Sequence, residues 1–321
     1  MLTLPDFKQK QILFIQPNNN TENKIKICNE NIVFIKDDKI ENRVSCHKVF
    51  SIFVIGNISI TTKLIQQCQK FGISMFFLKP NFNLYARINS FAEGNYLLRM
   101  KQYTSSQEEE LEISKKIILN KIKNQFILLN SRNLKLENLT PDILTKKVME
   151  VTNSQNLLGL EGNFSRDFFK VYFQDINWYT RMPRVKPDIP NFLLDMGYTY
   201  LFNFIDSLLC LFGFDTYKGF YHKLFFQRKS LVCDIVEPFR AIIDKEVLKM
   251  HNLNIVKKDE FKAHNGKVIL KLFRYHQKYS INFFEAIVKN KDEIYKYVQG
   301  FYRFLMDNKK INFLILKFLD K

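Results

Sequence analysis

Roughly the first ninety residues alternate in short β-branched and aromatic runs. QILFIQ (11–16), KIKICN (24–29), NIVFIKDD (31–38) and KVFSIFVIGNISI (48–60) are separated by Asn- and Asp-rich breaks. That is the pattern of strands joined by turns. TTKLIQQCQKFG (61–72) has helical spacing instead, with Thr61 or Thr62 able to cap its start and Gly72 its end. ISMFFLK and FNLYARI return to strand character, and Pro80 and Asn81 mark a turn between them.

Beyond about residue 93 the period changes. Residues 96–129 are helical in pattern, interrupted near 103–106. Leu111, Ile113, Ile117, Ile118, Ile122 and Phe126 fall on one broad face. Further helices are expected over 141–153, 157–175, 191–212, about 230–250, 259–276 and 291–306. The expected fold is α+β and multidomain. A small β-rich N-terminal domain (1–92) precedes a larger all-α domain (93–321). No fixed-period repeat is visible.

Composition narrows the function. A chain of 321 residues, 46% hydrophobic and 15% aromatic, is long and apolar enough to build a globular core. Its net charge of +17 points to a polyanionic partner, nucleic acid or an anionic membrane. Lysine is a weak witness in a chain this rich in Lys, Asn, Ile and Phe, so arginine, which binds phosphate with a planar fork, says more. Five of the eleven arginines (Arg166, Arg181, Arg184, Arg228 and Arg240) lie between residues 161 and 240. The five cysteines form no CxxC pair, which suits a reducing, cytoplasmic setting without a zinc ribbon or disulfide framework. MLTLPDFKQK lacks the apolar stretch of a signal peptide. The most apolar window, Phe192 to Phe214, contains Asp195 and Asp206 and is expected to be a buried helix, not a membrane span. There is no GxSxG elbow, P-loop, HExxH or dinucleotide fingerprint, and the ten glycines leave little for phosphate-cradling loops.

The richest chemistry lies between Lys218 and Arg240. His222 stands about a dozen residues before Asp234 and Glu237. These two carboxylates are three apart, so on a helix they share a face. Imidazole and carboxylates converging on one point would suit a hard or borderline divalent cation. Glu161, between Gly159 and Gly162, offers a third carboxylate. Each residue alone is better read as ordinary core or surface. Pro238 changes the balance, because within a helix it cannot donate to the carbonyl of Asp234. The helix must kink there or restart at Pro238.

These residues carry a resemblance. LLGLEGNFSRDFF, PDIPNFLLDMGYTYLF, GFDTYKGFYHK and SLVCDIVEPFRAIID resemble, in that order, the CRISPR-associated spacer-acquisition integrase, the universal metal-dependent subunit of CRISPR adaptation. LLRMKQY and KKIILNKIKNQFILL look like the family's linker and first long helices. VFSIFVIGNISITTKLIQQCQKFGISMFFL looks like its N-terminal domain. Two departures stand out: Ala241 where the family often has proline, and Asp188-Ile189-Pro190 where it usually has Asp-Pro. Neither touches a metal ligand.

The resemblance implies Mg²⁺ or Mn²⁺ held by Glu161, His222 and Glu237, with Asp234 supporting the site. It implies transesterification, in which a 3′-hydroxyl of spacer DNA attacks a phosphodiester at the edge of a CRISPR repeat. It also implies a homodimer through the N-terminal domain and a small companion subunit, with no membrane partner. Arg166, Arg181, Arg184, Arg228 and Arg240 become candidates for DNA phosphate contacts, and Arg240 could equally pair with Asp244. The rival readings are a metal-dependent nuclease acting on branched or single-stranded nucleic acid and a non-enzymatic DNA-binding subunit.

Overall fold

The structure, a computed structural model, describes residues 3–17, 22–80, 83–89, 94–178 and 180–307. Helix α1 (Leu4–Lys8) is capped by the Thr3 hydroxyl. It leads into β1 (Gln11–Ile15), β2 (Asn23–Cys28), β3 (Asn31–Lys36), β4 (Lys39–Ser45), β5 (Val49–Ile55), β6 (Ser59–Ile60), helix α2 (Thr62–Lys70), β7 (Ser74–Leu78) and β8 (Leu84–Ile88). The strands form two four-stranded sheets, ordered β1-β5-β7-β8 and β4-β3-β2-β6. In the first, β1, β5 and β7 run parallel and β8 antiparallel to β7.

Every residue of β5 is buried. A strand covered on both faces needs a continuous apolar run instead of alternation. Phe50, Phe53 and Ile55 join the large core of the helical part, while Val49, Ile52 and Val54 join a smaller cluster with Leu64 and Cys68 of α2. The run 48–60, which looks like one long strand, is split between the sheets. Gly56 turns the chain at φ +121, and β6 crosses to pair in parallel with β2.

The helical part comprises α3 (Tyr96–Tyr103), α4 (Gln107–Asn130), α5 (Pro141–Glu150), α6 (Ser154–Tyr172), α7 (Ile189–Phe212), α8 (Ser230–Val236), α9 (Arg240–Asn252), α10 (Tyr275–Lys289) and α11 (Lys291–Asp307). Helix α4 begins with a full capping box between Ser106 and Glu109. Asn153 caps α6 and Asp188 caps α7, so both start two or three residues earlier than the apolar pattern suggests.

This part is not all-α. Residues expected to be helical over 259–276 instead form an antiparallel hairpin, β9 (Phe261–His264) with β10 (Lys267–Leu270). The reason is its turn: Asn265 and Gly266 both take positive φ, +49 and +71, as a two-residue hairpin turn demands. Helix α10 begins only at Tyr275.

The core is continuous between the sheets and the helices. The Phe53 ring lies 5.8 Å from Tyr200 of α7, edge-on, and 4.9 Å from Phe284 of α10. The boundary expected at 92/93 lies outside the described residues, as does Asn81 of the expected turn. Among the described residues no helix is long and apolar enough to cross a membrane. Helix α7 is core, and its two aspartates are paired: Asp195 with Arg181, and Asp206 with Lys229 and Arg87.

Candidate active site

The expected break at Pro238 is present. Helix α8 ends at Val236, a 3₁₀ turn spans Glu237–Phe239, and α9 starts at Arg240. Proline cannot donate to the carbonyl of Asp234, and the amide of Glu237 takes that carbonyl instead. The Pro238 carbonyl accepts from Asn124 Nδ2 of α4 at 2.6 Å. The break therefore fixes Glu237 against α4.

Asp234 is fully buried and faces the loop before α8. Its Oδ2 accepts from the amides of Phe220 (2.6 Å) and Tyr221 (3.1 Å). Its Oδ1 accepts from the amide of His222 (2.8 Å) and from His222 Nδ1 (2.7 Å). Because a carboxylate only accepts, Nδ1 carries a proton, and in the neutral ring Nε2 is the nitrogen with the lone pair. Gly219 makes this clamp possible. A Cβ there would stand 2.8 Å from both Asp234 Oδ2 and the Ser230 backbone.

Glu161 on α6 and Glu237 meet through a residue that the sequence reading did not single out. Lys121 of α4, 6% exposed, pairs with both carboxylates, reaching Glu237 Oε2 at 2.7 Å. The ammonium at that distance engages one lone pair of the buried Glu237 Oε2, and a carboxylate oxygen has a second to offer. Glu161 also accepts from Ser165 Oγ (2.7 Å), one helical turn on, and from Tyr221 Oη (3.4 Å). Burial opposes ionisation of Glu161, but Lys121 and the bonds from Lys121 and Ser165 outweigh it and hold its carboxyl below the usual range. Burial likewise opposes ionisation of Glu237. Arg240, Lys121 and His222 overcome it and hold that carboxyl far down. Burial pulls the Lys121 ammonium down, yet Glu237 and Glu161 more than restore it. The Tyr221 hydroxyl, buried beside three carboxylates, is pushed up and stays a donor.

The arginines divide by environment. Arg240 pairs with Glu237 (2.9 Å) and lies 4.6 Å over the Tyr198 ring, so its partner is Glu237 and not Asp244. Asp244 instead accepts from Tyr198 Oη. Arg181 is tied inward to Asp195 and Asn191, and its guanidinium also lies over the Tyr198 ring, at 5.4 Å. That internal pairing leaves its fork committed within the fold. Arg228 braces the loop at the Lys223 carbonyl and Ser230. Arg166, 70% exposed, and Arg184, also exposed, project outward.

The structure thus gathers Glu161 and Glu237 around Lys121. His222 lies near enough to Glu237 to favour its ionisation. Among the described residues, no three His, Cys, Asp or Glu side chains are grouped closely enough to hold a metal ion as they stand. The donor set nevertheless fits one. An imidazole whose Nδ1–H is fixed by a buried carboxylate is oriented as metal-binding histidines are. Glu237 Oε2 has a lone pair to give, and carboxylate–imidazole sets suit hard to borderline divalent ions. Lys121 supplies the positive charge between the carboxylates in this arrangement. Lys121, Tyr221, Ser165 and Asn124 are the site residues missing from the sequence reading. Only the buried polar stripe Asn120, Lys121, Asn124 and Gln125, within the apolar helix α4, could have signalled them.

Known proteins share this arrangement of elements. A CRISPR-associated endonuclease Cas1 of Thermodesulfovibrio yellowstonii is 28% identical over 310 residues, covering 90% of this chain and 96% of that one. A casposase bound to its integration product superposes with a TM-score of 0.80 at 19% identity, covering 94% of this chain and 92% of that one. A chain of a Cas6-RT-Cas1–Cas2 complex gives 0.77 at 22% identity, covering 96% of this chain and 36% of that one. The sequence model of the family described as CRISPR associated protein Cas1 matches residues 19–275, and the chain belongs to that family.

Proposed function

We propose that this protein is a metal-dependent DNA integrase of CRISPR adaptation that inserts short foreign DNA fragments into a repeat array. The observation that carries the proposal is the imidazole of His222, locked by buried Asp234 with Nε2 available, beside the paired carboxylates Glu161 and Glu237. That a 28%-identical relative is an endonuclease, and that a protein of the same fold is a casposase bound to its integration product, supports the same chemistry.

In this reading Glu161, His222 and Glu237 would hold Mg²⁺ or Mn²⁺. When bound, the cation supplies Lewis-acid stabilisation of charge on the phosphoryl and leaving oxygens. The rest belongs to the chain. Asp234 fixes the histidine tautomer and the turn at residues 220–222. Arg240 orients Glu237 and, with Lys121, keeps it ionised. Tyr221 stays protonated and steadies Glu161 Oε2. A DNA 3′-hydroxyl attacks a phosphodiester at a repeat edge and gives up its proton to solvent, one P–O bond forms as another breaks, and the leaving 3′-oxygen takes up a proton in return.

The division into a β-rich domain (1–92) that dimerises and a catalytic domain (93–321) belongs to the same proposal. Exposed strand edges favour pairing across a two-fold axis. A small companion subunit, of the kind found in the Cas6-RT-Cas1–Cas2 complex, and a reducing, cytoplasmic setting for the five free cysteines are also part of this proposal.

The test is strand transfer of a labelled duplex with free 3′-hydroxyls into a supercoiled plasmid bearing a repeat. His222→Ala should abolish joining in Mg²⁺ or Mn²⁺ while duplex binding persists, and blocking the 3′-hydroxyl should abolish joining by the wild type. Cleavage that continues with blocked ends, without joined product, would establish the nuclease reading instead. Identical joining by wild type and His222→Ala would remove the site.

A further inference from the structure

The segment from Gly213 to Lys229, between α7 and α8, contains neither helix nor strand, yet it carries His222. It exceeds the roughly 12–15 residues beyond which such connections are usually functional or disordered. Its backbone groups need partners from elsewhere in the fold. At its two feet those partners come from either side of the crossing between the sheets and the helices.

Gln102 of α3 is fully buried and holds the first foot. Its Oε1 accepts from the amide of Asp215 at 2.9 Å, and its Nε2 donates to the carbonyls of Asp215 (3.1 Å) and Lys218 (3.3 Å). The Lys218 carbonyl and the Gly219 amide lie in one planar peptide, so this bond sets the plane from which the turn at 219–222 departs. That turn has no slack. A Cβ at Gly219 would stand 2.8 Å from Asp234 Oδ2, and the next three amides all donate to Asp234.

Arg87 of β8 reaches both feet. Its Nη2 donates to Tyr217 Oη at 3.2 Å. Its Nη1 lies 3.6 Å from Oδ2 of Asp206, which is fully buried on α7 and pairs with the Lys229 ammonium. Lys229 is the last residue before α8. Beside it, Ser230 Oγ donates to the Lys223 carbonyl at 3.0 Å and the Leu231 amide to the Thr216 carbonyl at 3.1 Å, which closes the segment on itself. Among the described residues neither Arg87 nor Gln102 bonds to Glu161, His222, Asp234 or Glu237. They bear on the site only through this segment.

We propose that Arg87 and Gln102 are positioning residues for His222: they fix the feet of its segment, and so the geometry in which the imidazole meets Asp234. That this serves catalysis rests on the integrase reading above; that it orients the ring does not. An arginine of the β-rich part thereby shapes a site whose other members lie in the helical part.

The test follows the His222 Nδ1–H proton by NMR of protein with isotope-labelled histidine, without metal. Its downfield signal, hydrogen-bonded to Asp234, is assigned by its loss in His222→Ala. In Arg87→Met/Gln102→Met the signal should be lost to exchange with water as local opening becomes frequent. Leu64→Ala, a core truncation on α2, lowers the melting temperature without touching the segment and should keep the signal. In the strand-transfer assay the double variant should lose about 10–100-fold in kcat with KM for the duplex unchanged, the mark of misplaced groups and not of weaker binding. Gln102→Met and Arg87→Met singly, each leaving one hold in place, replace the double variant if it does not fold. A retained imidazole signal, an unchanged kcat, or an equal loss of signal in Leu64→Ala would overturn the proposal. If the wild type joins no DNA, the integrase reading falls, and the imidazole signal alone decides whether the two residues hold the ring.

Discussion

Replacing Lys121 with methionine should uncouple stability from metal affinity. The variant leaves two nearly buried carboxylates, Glu161 and Glu237, facing each other without the ammonium that now joins them. Removing one partner of a buried ion pair costs about 3–5 kcal/mol. At about 2–4 °C per kcal/mol, the melting temperature in EDTA should fall by about 6–20 °C. The same change vacates the position between the carboxylates and removes a competing charge. A divalent cation at about 100 times its Kd returns about 2.7 kcal/mol, so Mn²⁺ should recover at least half of the loss. In the wild type the ammonium contests those oxygens, and the same Mn²⁺ concentration should raise the melting temperature less. Differential scanning fluorimetry with and without Mn²⁺, and titration calorimetry for affinity, read both effects. Adding Glu161→Gln to Lys121→Met should restore stability in EDTA, because only one carboxylate then remains. If Lys121→Met melts with the wild type in EDTA, or both proteins gain equally from Mn²⁺, the lysine does not hold the carboxylates and the electrostatic account fails.

Asp234→Asn should weaken Mn²⁺ binding about 10–100-fold by calorimetry while leaving His222 in place, since outer partners of this kind tune ligand orientation and basicity. Asp244 tests the pH response of the layer beneath. Burial raises its carboxyl to about 7, against the lowering effects of the Tyr198 bond and Arg240. The folded chain thus keeps a proton that the unfolded chain loses above its ordinary value of 3.8. Its contribution is fully present below that value and is lost as pH rises towards 7. Asp244→Asn cannot titrate, so urea denaturation should show it gaining stability relative to wild type from about pH 4 to about pH 7.

Much of the fold was legible because burial and period agree. Long helices such as α4 and α7 carry apolar faces at helical spacing, and their ends are written in Ser106, Asp188 and Gly213. The hairpin at 261–270 was misread although its signal was present. Lysines and alanine around Asn265-Gly266 resemble a polar helix surface, and the two-residue turn was outweighed by the helical pattern on either side. The split of 48–60 had a weaker mark. Gly56 announces a bend, but that β6 leaves one sheet for the other depends on β2, some thirty residues earlier, presenting a free edge.

The site shows a different limit. Spacing put Asp234 and Glu237 on one helical face, which suggested a shared cation. The 3₁₀ turn gives them different neighbours: Asp234 is saturated by four donors of the 220–222 turn, while Glu237 looks to α4 and Arg240. The residue types were readable and the division of labour was not, because Pro238 says only that the helix breaks, not which partner receives each side chain. Lys121 was hidden for a related reason. A lysine in KIKNQ is read as solvated unless something covers it. What covers it is α6 from one side and the broken α8–α9 segment from the other, elements about forty and over a hundred residues away. Once those elements close, an ammonium cannot remain there without anions, and anions as deeply buried as Glu237 cannot remain without a cation. The lysine and the two glutamates therefore form one unit, and in the proposed reading a divalent cation would share these oxygens with the Lys121 charge and would not fill a neutral cavity.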